Sequence, residues 1–388
     1  MKKIRIGDVC DILNGYAFKS DRYVKSGIRV IRIANVQKGF IEDNTPVFYS
    51  IDSSELEKYM LEENDLLISL TGNVGRVALL QKEMLPAALN QRVACLRLKT
   101  DMVNKFFLFH ILNNDYFEQQ CIQASNGVAQ KNMSTEWLKD YEIPLYSIEK
   151  QIEVVKILDK VRRIINSRTE EILKLDNLVR GRFVEMFGDQ STNPRGWNET
   201  TIGDECFYIK DGPHKSLTDI GKKNGGYPFI SVRNIVNGHI DFSTAKYISN
   251  EDYADAIKKC HPEKGDMLYS KGGTTGIAKL IDIDEEFANW VHVAVLKFDK
   301  SRLNGVFFEN MLNGTYCYEQ SQRLTKGIAN RDLVLSAMAQ IKIYCPPMEL
   351  QNQFADFVKQ VNKSKVAVQK ARDEAQLLFD SLMQEYFG

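Results

Sequence analysis

Residues 183–188 read FVEMFG and residues 383–388 read MQEYFG, two versions of one hexapeptide two hundred positions apart. Recurrence at one fixed offset marks a duplicated structural unit, and sliding the chain on itself extends the match back through both halves. GDVC at 7–10 pairs with GDEC at 203–206, and IRIANVQKGFI at 31–41 with ISVRNIVNGHI at 230–240. DLLISLTGNVGRVALL at 65–80 pairs with DMLYSKGGTTGIAKLI at 266–281, and VACLRL at 93–98 with VAVLKF at 293–298. GVAQKN at 127–132 pairs with GIANRD at 327–332, and EKQ at 149–151 with ELQ at 349–351. The order never changes, so one unit is used twice.

Each unit has two parts of different character. The first bears glycines and short β-branched runs such as RVIRIANV, DLLISL and RVACLRL, which predict strands, with a helical stretch near 104–122. The second, near 147–187 and again near 347–387, carries almost no glycine and predicts one long helix. Leu158, Ile165, Ile172, Val179 and Met186 recur every seven residues in the first helix, with Arg168 and Arg182 interrupting the stripe. Phe354, Val361, Val368, Ala375 and Leu382 form the second series, supported by Phe357, Val358, Leu378 and Phe379. Such stripes bury themselves against one another. The expected pairing residues are Leu158, Ile165, Ile172, Val179, Val361, Val368 and Leu382. Ser147 can cap the first helix, Pro347 can open the second, and Gly188 and Gly388 stand where helices end.

The expected fold class is therefore α/β (α+β): two similar α/β domains separated by a pair of long antiparallel helices, a coiled coil, with an internal pseudo-twofold repeat. The divisions are 1–146, 147–190, 191–346 and 347–388. The polar, turn-rich GDQSTNPRGWNETTIGD at 188–204 serves as the linker into the second domain. A helix of about 40 residues is roughly 60 Å long, against about 34 Å for a turn of B-DNA. Two heads on such a bar could touch two short duplex segments across an untouched gap.

Composition narrows the class. Of 388 residues, 44% are apolar and 26% charged, ordinary for a folded chain, and Lys plus Arg (51) balance Asp plus Glu (51). Any basic surface must then be local. The seven cysteines are scattered, with no Cys-x-x-Cys pair, and the five histidines are dispersed, which predicts neither a disulfide framework nor a metal site. No run approaches the roughly 20 apolar residues of a membrane helix. A soluble, cytoplasmic protein is expected.

SLTGNVGRVALL, NQRVACLRL and GVAQKNMSTEWLKDYEIPLYSIEKQIEVVKIL, in this order, resemble the specificity subunits of type I restriction-modification systems. The resemblance covers the whole chain. It implies two target recognition domains, each followed by a helical region, that bind a bipartite, asymmetric double-stranded DNA sequence. It also implies two methyltransferase subunits as partners and, in some assemblies, restriction subunits. S-adenosylmethionine, ATP and Mg would belong to those partners, with no cofactor on this chain. The second half departs from the pattern in SKGGTTGIAKLI, ANWVHVAVLKF and YCPPMELQ, so matched positions need not make matched contacts.

No catalytic residues are expected. An adenine methyltransferase of this class needs an aromatic-ended Asn-Pro-Pro or Asp-Pro-Pro tetrapeptide for the flipped base, and NPRG at 193–196 is only a turn. KGGTTG at 271–276 lacks the Gly-Lys-Ser/Thr of a phosphate loop. Two other classes, a stand-alone methyltransferase or nuclease and a coiled-coil adaptor without a DNA role, lack respectively the catalytic motifs and a reason for two diverged heads.

If two modules of one fold read different half-sites, the readers are polar positions that differ between matched places. Arg32 faces Ser231, Ala34 faces Arg233, Arg76 faces Ile277, and Gln130, Lys131 and Asn132 face Asn330, Arg331 and Asp332. Lys19, Arg22, Lys215, Lys222, Lys223 and Lys271 are candidate phosphate contacts on flexible turns. Asn35 and Asn234, retained in both halves, fit a structural turn or a shared backbone contact better than sequence-specific reading. Glycines 72, 75, 273 and 276 fit strand-turn-strand geometry with positive φ. Arg76→Ala is expected to change or relax the first half-site and leave the second intact; an unchanged methylation motif would remove Arg76 from the reading surface.

Overall fold

The computed structural model describes residues 2–52, 54–125, 132–236, 238–327 and 331–388. By contacts the chain divides into two units, one made of Met1–Arg168 with Ala371–Gly388 and the other of Thr169–Lys370.

In the first unit β1 (Lys3–Arg5) enters a single helical turn, α1 (Ile6–Val9), followed by β2 (Cys10–Asn14), β3 (Ile28–Ile31) and β4 (Phe48–Tyr49). Next come β5 (Leu66–Ser69), β6 (Val77–Leu79), β7 (Ala87–Leu89) and β8 (Val93–Leu98). The helices α2 (Lys105–Leu112), α3 (Asp115–Ala124) and α4 (Thr135–Asp140) follow, then β9 (Glu142–Pro144) and α5 (Ile148–Phe187). An antiparallel sheet has the order β2-β8-β5-β6, a smaller one the order β4-β3-β7 with β3 and β7 parallel, and β1 pairs with β9.

The second unit repeats this order. It has β10 (Glu199–Thr201), α6 (Ile202–Glu205), β11 (Cys206–Asp211), β12 (Tyr227–Ile230), β13 (Lys246–Ile248) and α7 (Asn250–Lys259). Then come β14 (Met267–Ser270), β15 (Ala278–Leu280), β16 (Ala288–Asn289) and β17 (Val293–Phe298). α8 (Gly305–Leu312), α9 (Thr315–Leu324), α10 (Leu335–Met338), β18 (Lys342–Tyr344) and α11 (Met348–Phe387) complete it. Its sheets run β11-β17-β14-β15 and β13-β12-β16, with β10 against β18, strand for strand the same topology.

The central strands β5, β8, β14 and β17 read as largely apolar runs because they are buried on both faces of the larger sheet. Successive side chains alternate: Leu66, Ile68, Ala94 and Leu96 face the helices, whereas Leu67, Ala78, Val93 and Cys95 face the smaller sheet. In the second unit Met267, Tyr269, Ala294 and Leu296 face the helices, and Leu268, Val293 and Val295 the other sheet. A one-residue slip would exchange the two faces of each strand. The β5–β6 turn is pinned by Ser69, whose Oγ accepts the Arg76 N–H at 3.0 Å, and the β14–β15 turn by Ser270, which accepts that of Ile277 at 2.8 Å. Gly75 and Gly276 take φ of +83° and +91°, and a Cβ there would stand 2.7 Å from Cys121 Cβ and 2.2 Å from Ser321 Oγ. Only glycine fits these two turns.

The helical stretch expected near 104–122 is two helices. Asn113 and Asn114 break it, because Asn114 Oδ1 accepts the Phe117 N–H at 2.7 Å and so starts α3 afresh. The modules also diverge where α7 covers the smaller sheet of the second unit, through Tyr253 and Ala256, while the first has a 3-10 turn at Ser54–Tyr59.

Each unit contains parts of both long helices. In the first, Val154, Leu158 and Val161 enter the core together with Phe379, and Ile165, Ala375 and Leu382 pack on it. The Tyr146 hydroxyl donates to the Tyr386 carbonyl at 2.9 Å, so the start of α5 lies beside the end of α11 and the helices are antiparallel. In the second, Phe183 and Phe187 close on Phe354, and Lys365 pairs with Asp176 at 2.5 Å. Among the expected pairing residues Leu158 and Val361 are buried, while Ile165, Ile172, Val179, Val368 and Leu382 are half-buried. Leu378 is a correction. It is 52% exposed, because Ala375, Phe379 and Leu382 define the stripe and Leu378 is rotated off it.

Ser147 Oγ accepts the Lys150 N–H at 3.4 Å as α5 begins. Gln151 then ties the helix to its domain. Fully buried, it accepts the Asn104 N–H at 2.7 Å and donates to the carbonyls of Met102 and Tyr146 at 2.9 and 3.0 Å. Gln351 does the same with Asn304, Arg302 and Pro346 at 2.8, 2.9 and 2.8 Å. Gln151→Met and Gln351→Met each leave three backbone groups without their side-chain partner, and each substitution is expected to cost about 3 kcal/mol. Urea unfolding followed by tryptophan fluorescence checks this.

Candidate nucleic-acid interface

Three turns of the first unit converge at one end of its larger sheet. Asn132 bridges Thr71, the Met133 N–H donates to the Leu70 carbonyl at 2.8 Å, and Ile33 lies under Gly72. The second unit repeats the junction: Gly273 N–H meets the Arg331 carbonyl at 3.1 Å and Leu333 N–H that of Lys271 at 2.7 Å. The glycine turns and the segment leading into α4 or α10 thus form one surface in each module. The expected positive φ at Gly72 and Gly273 is present, at +68° and +70°.

Beside this surface lies a 3-10 turn held by a buried asparagine. Asn35 Oδ1 accepts the Arg32 N–H at 2.8 Å and its Nδ2 donates to the Glu42 carbonyl at 2.8 Å. Asn234 repeats this with Ser231 and Asp241, at 2.8 and 2.9 Å. Both asparagines are structural, as their retention implied. On this common frame stand two arginines from unmatched positions. Arg32 Nη2 donates to the Thr45 carbonyl at 2.8 Å, and Arg233 Nη2 to the Thr244 carbonyl at 2.7 Å. Two guanidiniums thus reach equivalent anchors by different routes, each with donors to spare.

A family model for the type I restriction modification DNA specificity domain matches the chain twice, over residues 1–175 and 194–377. The chain belongs to that family. It is similar to the type I restriction enzyme EcoBI specificity subunit of Escherichia coli, at 24% identity over 98% of this chain and 83% of the relative. It is also similar to a putative MjaX specificity subunit of Methanocaldococcus jannaschii, at 23% over 94% and 89%. The fold matches the crystal structure of a type I system S subunit from M. genitalium, with a TM-score of 0.60 at 16% identity, covering all of this chain and 96% of that one. As a member of this specificity family the chain is the DNA-specificity component and not itself an enzyme.

Within this specificity protein the sequence-derived candidates fall into distinct places. Arg76 is beside the glycine-turn surface of the first unit, with Nη1 2.6 Å from Gln37 Oε1 and Nε 3.7 Å from Glu118. Asn132 and Arg331 are exposed, and Arg331 bonds Gln322. Gln130, Lys131 and Asn330 lie outside the described residues. Lys19, Arg22, Lys215, Lys222 and Lys223 lie in the segments around the smaller sheets. Lys19 is exposed, and Arg22 pairs with Glu55 at 2.9 Å and covers the Tyr49 ring. Lys215 lies 3.7 Å from Asp252, in the first turn of α7. Lys222 and Lys223 are exposed on a 3-10 turn. The Asp219 carboxylate braces the adjoining loop by accepting N–H bonds from Tyr247 and Gly221, which hold it below the usual carboxylate range.

Lys271 corrects the expectation of a flexible phosphate contact. It is only 6% exposed, held 3.0 Å from Asp332 and 3.4 Å from Asp211, while Lys259 meets Asp211 at 2.9 Å. A lysine between two carboxylates at a turn is an internal brace. Its partners lie far off in the sequence on either side, Asp211 at a strand end and Asp332 across the glycine turn, so no local pattern marked them. Lys38 went unnoticed at the sequence level; it joins the 33–40 turn to α3 through Asp115 and Glu118. Burial pushes the thiols of Cys10, Cys121, Cys206 and Cys317 up to about 12, which suits packing rather than reactivity.

Lys271→Met is expected to lower stability by about 2 kcal/mol, less than the loss of an isolated buried pair, because Lys259 still faces Asp211. Lys222→Ala with Lys223→Ala should leave the unfolding midpoint unchanged and flatten the salt dependence of duplex binding by about two counterions. Denaturation and salt-titrated anisotropy separate the two outcomes.

Proposed function

We propose that this chain reads a bipartite, asymmetric site in double-stranded DNA, one half through each target recognition domain, 1–146 and 191–346. The helical regions 147–190 and 347–388 set the spacing and hold two methyltransferase subunits, with restriction subunits joining where the system has them. S-adenosylmethionine, ATP and Mg act on those partners, and this chain binds no cofactor. The assembly works in the cytoplasm. No helix among the described residues is long and apolar enough to cross a membrane.

The observation that carries this reading is the pair of carbonyl-anchored arginines. One frame, the Asn35 turn and its Asn234 counterpart, presents Arg32 in one module and Arg233 in the other, and the flanking residues differ. A shared frame with unshared side chains suits two half-sites of different sequence. Arginine is the side chain best suited to bidentate contact with guanine, and each such pair is worth about 1–3 kcal/mol of discrimination. Lys19, Arg22, Lys215, Lys222 and Lys223, displaced onto the smaller sheets, suit phosphate contacts that position the duplex.

Co-expression with the cognate methyltransferase subunit in a methylation-free host, followed by long-read mapping of modified adenines, tests this. A split motif with one modified adenine per half is expected. Arg32→Ala should relax only the first half and Arg233→Ala only the second. A continuous motif, or both substitutions affecting the same half, would sink the two-headed reading.

A further inference from the structure

The turn between β7 and β8 joins the two sheets of the first unit and lies between the Arg32 turn and the glycine turn. Neighbours fix its backbone on three sides. Asn90 N–H donates to the Ile31 carbonyl at 3.2 Å, one residue before Arg32. Leu70 N–H, at the root of the glycine turn, donates to the Arg92 carbonyl at 3.0 Å. Gln91 N–H donates to the Tyr16 carbonyl at 3.0 Å, and a Cβ at Gly15 would stand 2.2 Å from the Asn90 carbonyl carbon, so the segment before Tyr16 presses on the third side. Inside the turn, Val93 N–H meets the Asn90 carbonyl at 2.9 Å, and Arg92 N–H meets Asn90 Oδ1 at 3.2 Å. This closes a four-residue turn whose corner residues are Gln91 and Arg92, both exposed.

Arg92 is also uncommitted. Nearby, Arg29 is held by Asp43, Arg32 by the Thr45 carbonyl, Arg76 by Gln37 and Arg97 by Asp65. The Arg92 side chain has no hydrogen bond or ion pair among the described residues. Five N–H donors in a planar fork thus stand free on a backbone tied at three points. The second unit differs here. Its turn closes one residue later, with Val293 N–H on the Trp290 carbonyl at 2.9 Å, so its corners are Val291 and His292. Val291 is buried and His292 half-buried, seated on Gly272, where a Cβ would lie 1.9 Å from His292 Nδ1. The first unit has Thr71 in place of that glycine.

We propose that Arg92 is a specificity-determining residue for the first half-site, its guanidinium donating to O6 and N7 of one guanine in the major groove. This rests on the reading that residues 1–146 bind one half of a bipartite site. A planar fork must be presented at a set angle to meet two acceptors on one base edge, and the tied backbone sets it. A phosphate contact needs only the charge. Because Val291 and His292 stand where Gln91 and Arg92 do, the second half-site does not depend on this contact.

The full-length Arg92→Ala and Arg92→Lys chains are each co-expressed with the cognate methyltransferase subunit in a methylation-free host, and modified adenines are mapped by long-read sequencing. Both variants are expected to accept other bases at one guanine position of the first half, with discrimination there cut roughly tenfold, and to keep the second half as in the unsubstituted chain. That intact half reports a folded protein. Lysine keeps the charge and loses the fork, so an unaltered motif from Arg92→Lys assigns the residue to a phosphate and overturns the proposal. An unaltered motif from Arg92→Ala overturns it as well. Absence of modification by both variants makes the residue structural, with the same result. An unsubstituted chain that yields no split motif is a separate failure: it overturns the two-headed reading itself, and the role of Arg92 falls with it.

Discussion

The fold depends on a buried carboxamide at the root of each long helix. Gln151 and Gln351 are fully buried, and each meets one backbone N–H and two carbonyls. A carboxamide is the smallest side chain that donates twice and accepts at one end. It can therefore close the gap between the residue that caps α2 or α8 and the loop that launches the helix. With all groups satisfied, the helix leaves its domain in one direction. The seven-residue stripes can meet only after that direction is fixed.

From that root the modules can diverge at their edges without losing the frame. The central strands of the larger sheet are buried on both faces, so they tolerate little beyond exchanges of apolar residues, as in VACLRL against VAVLKF. The glycine turns tolerate less, since a Cβ at Gly75 or Gly276 meets α3 or α9. The outer layer is free of both constraints. There one module has α7 and the other a 3-10 turn, and there the arginines, two positions out of match, reach the same kind of carbonyl anchor.

What the sequence made legible follows the same line. The repeat, the strand-turn-strand units and both long helices were visible because their signals are periodic or local: alternation, positive-φ glycines and seven-residue spacing. The retained asparagines were legible as turn formers for the same reason. Lys271 was not, since its environment is built by Asp211 and Asp332 from distant strands, and a lysine beside glycines looks exposed until those carboxylates arrive. The break at Asn113–Asn114 was concealed by apolar residues continuing on both sides of it. Leu378 and Phe379 are adjacent and similarly apolar, so only the packed partner separates the inward one from the outward one.

The first unit is discontinuous: its core takes Phe379, with Ala375 and Leu382 packed on it, from the last eighteen residues, whereas the second unit is one uninterrupted stretch. A ribosome therefore delivers the sheets of the first unit early and the helix that covers them last. The second unit, although begun later, has all its parts before residues 371–388 are made. During translation Phe379, which joins Leu158 and Val161 in that core, is thus made only after all of the second unit. Order of synthesis and order of completion are opposite in this chain.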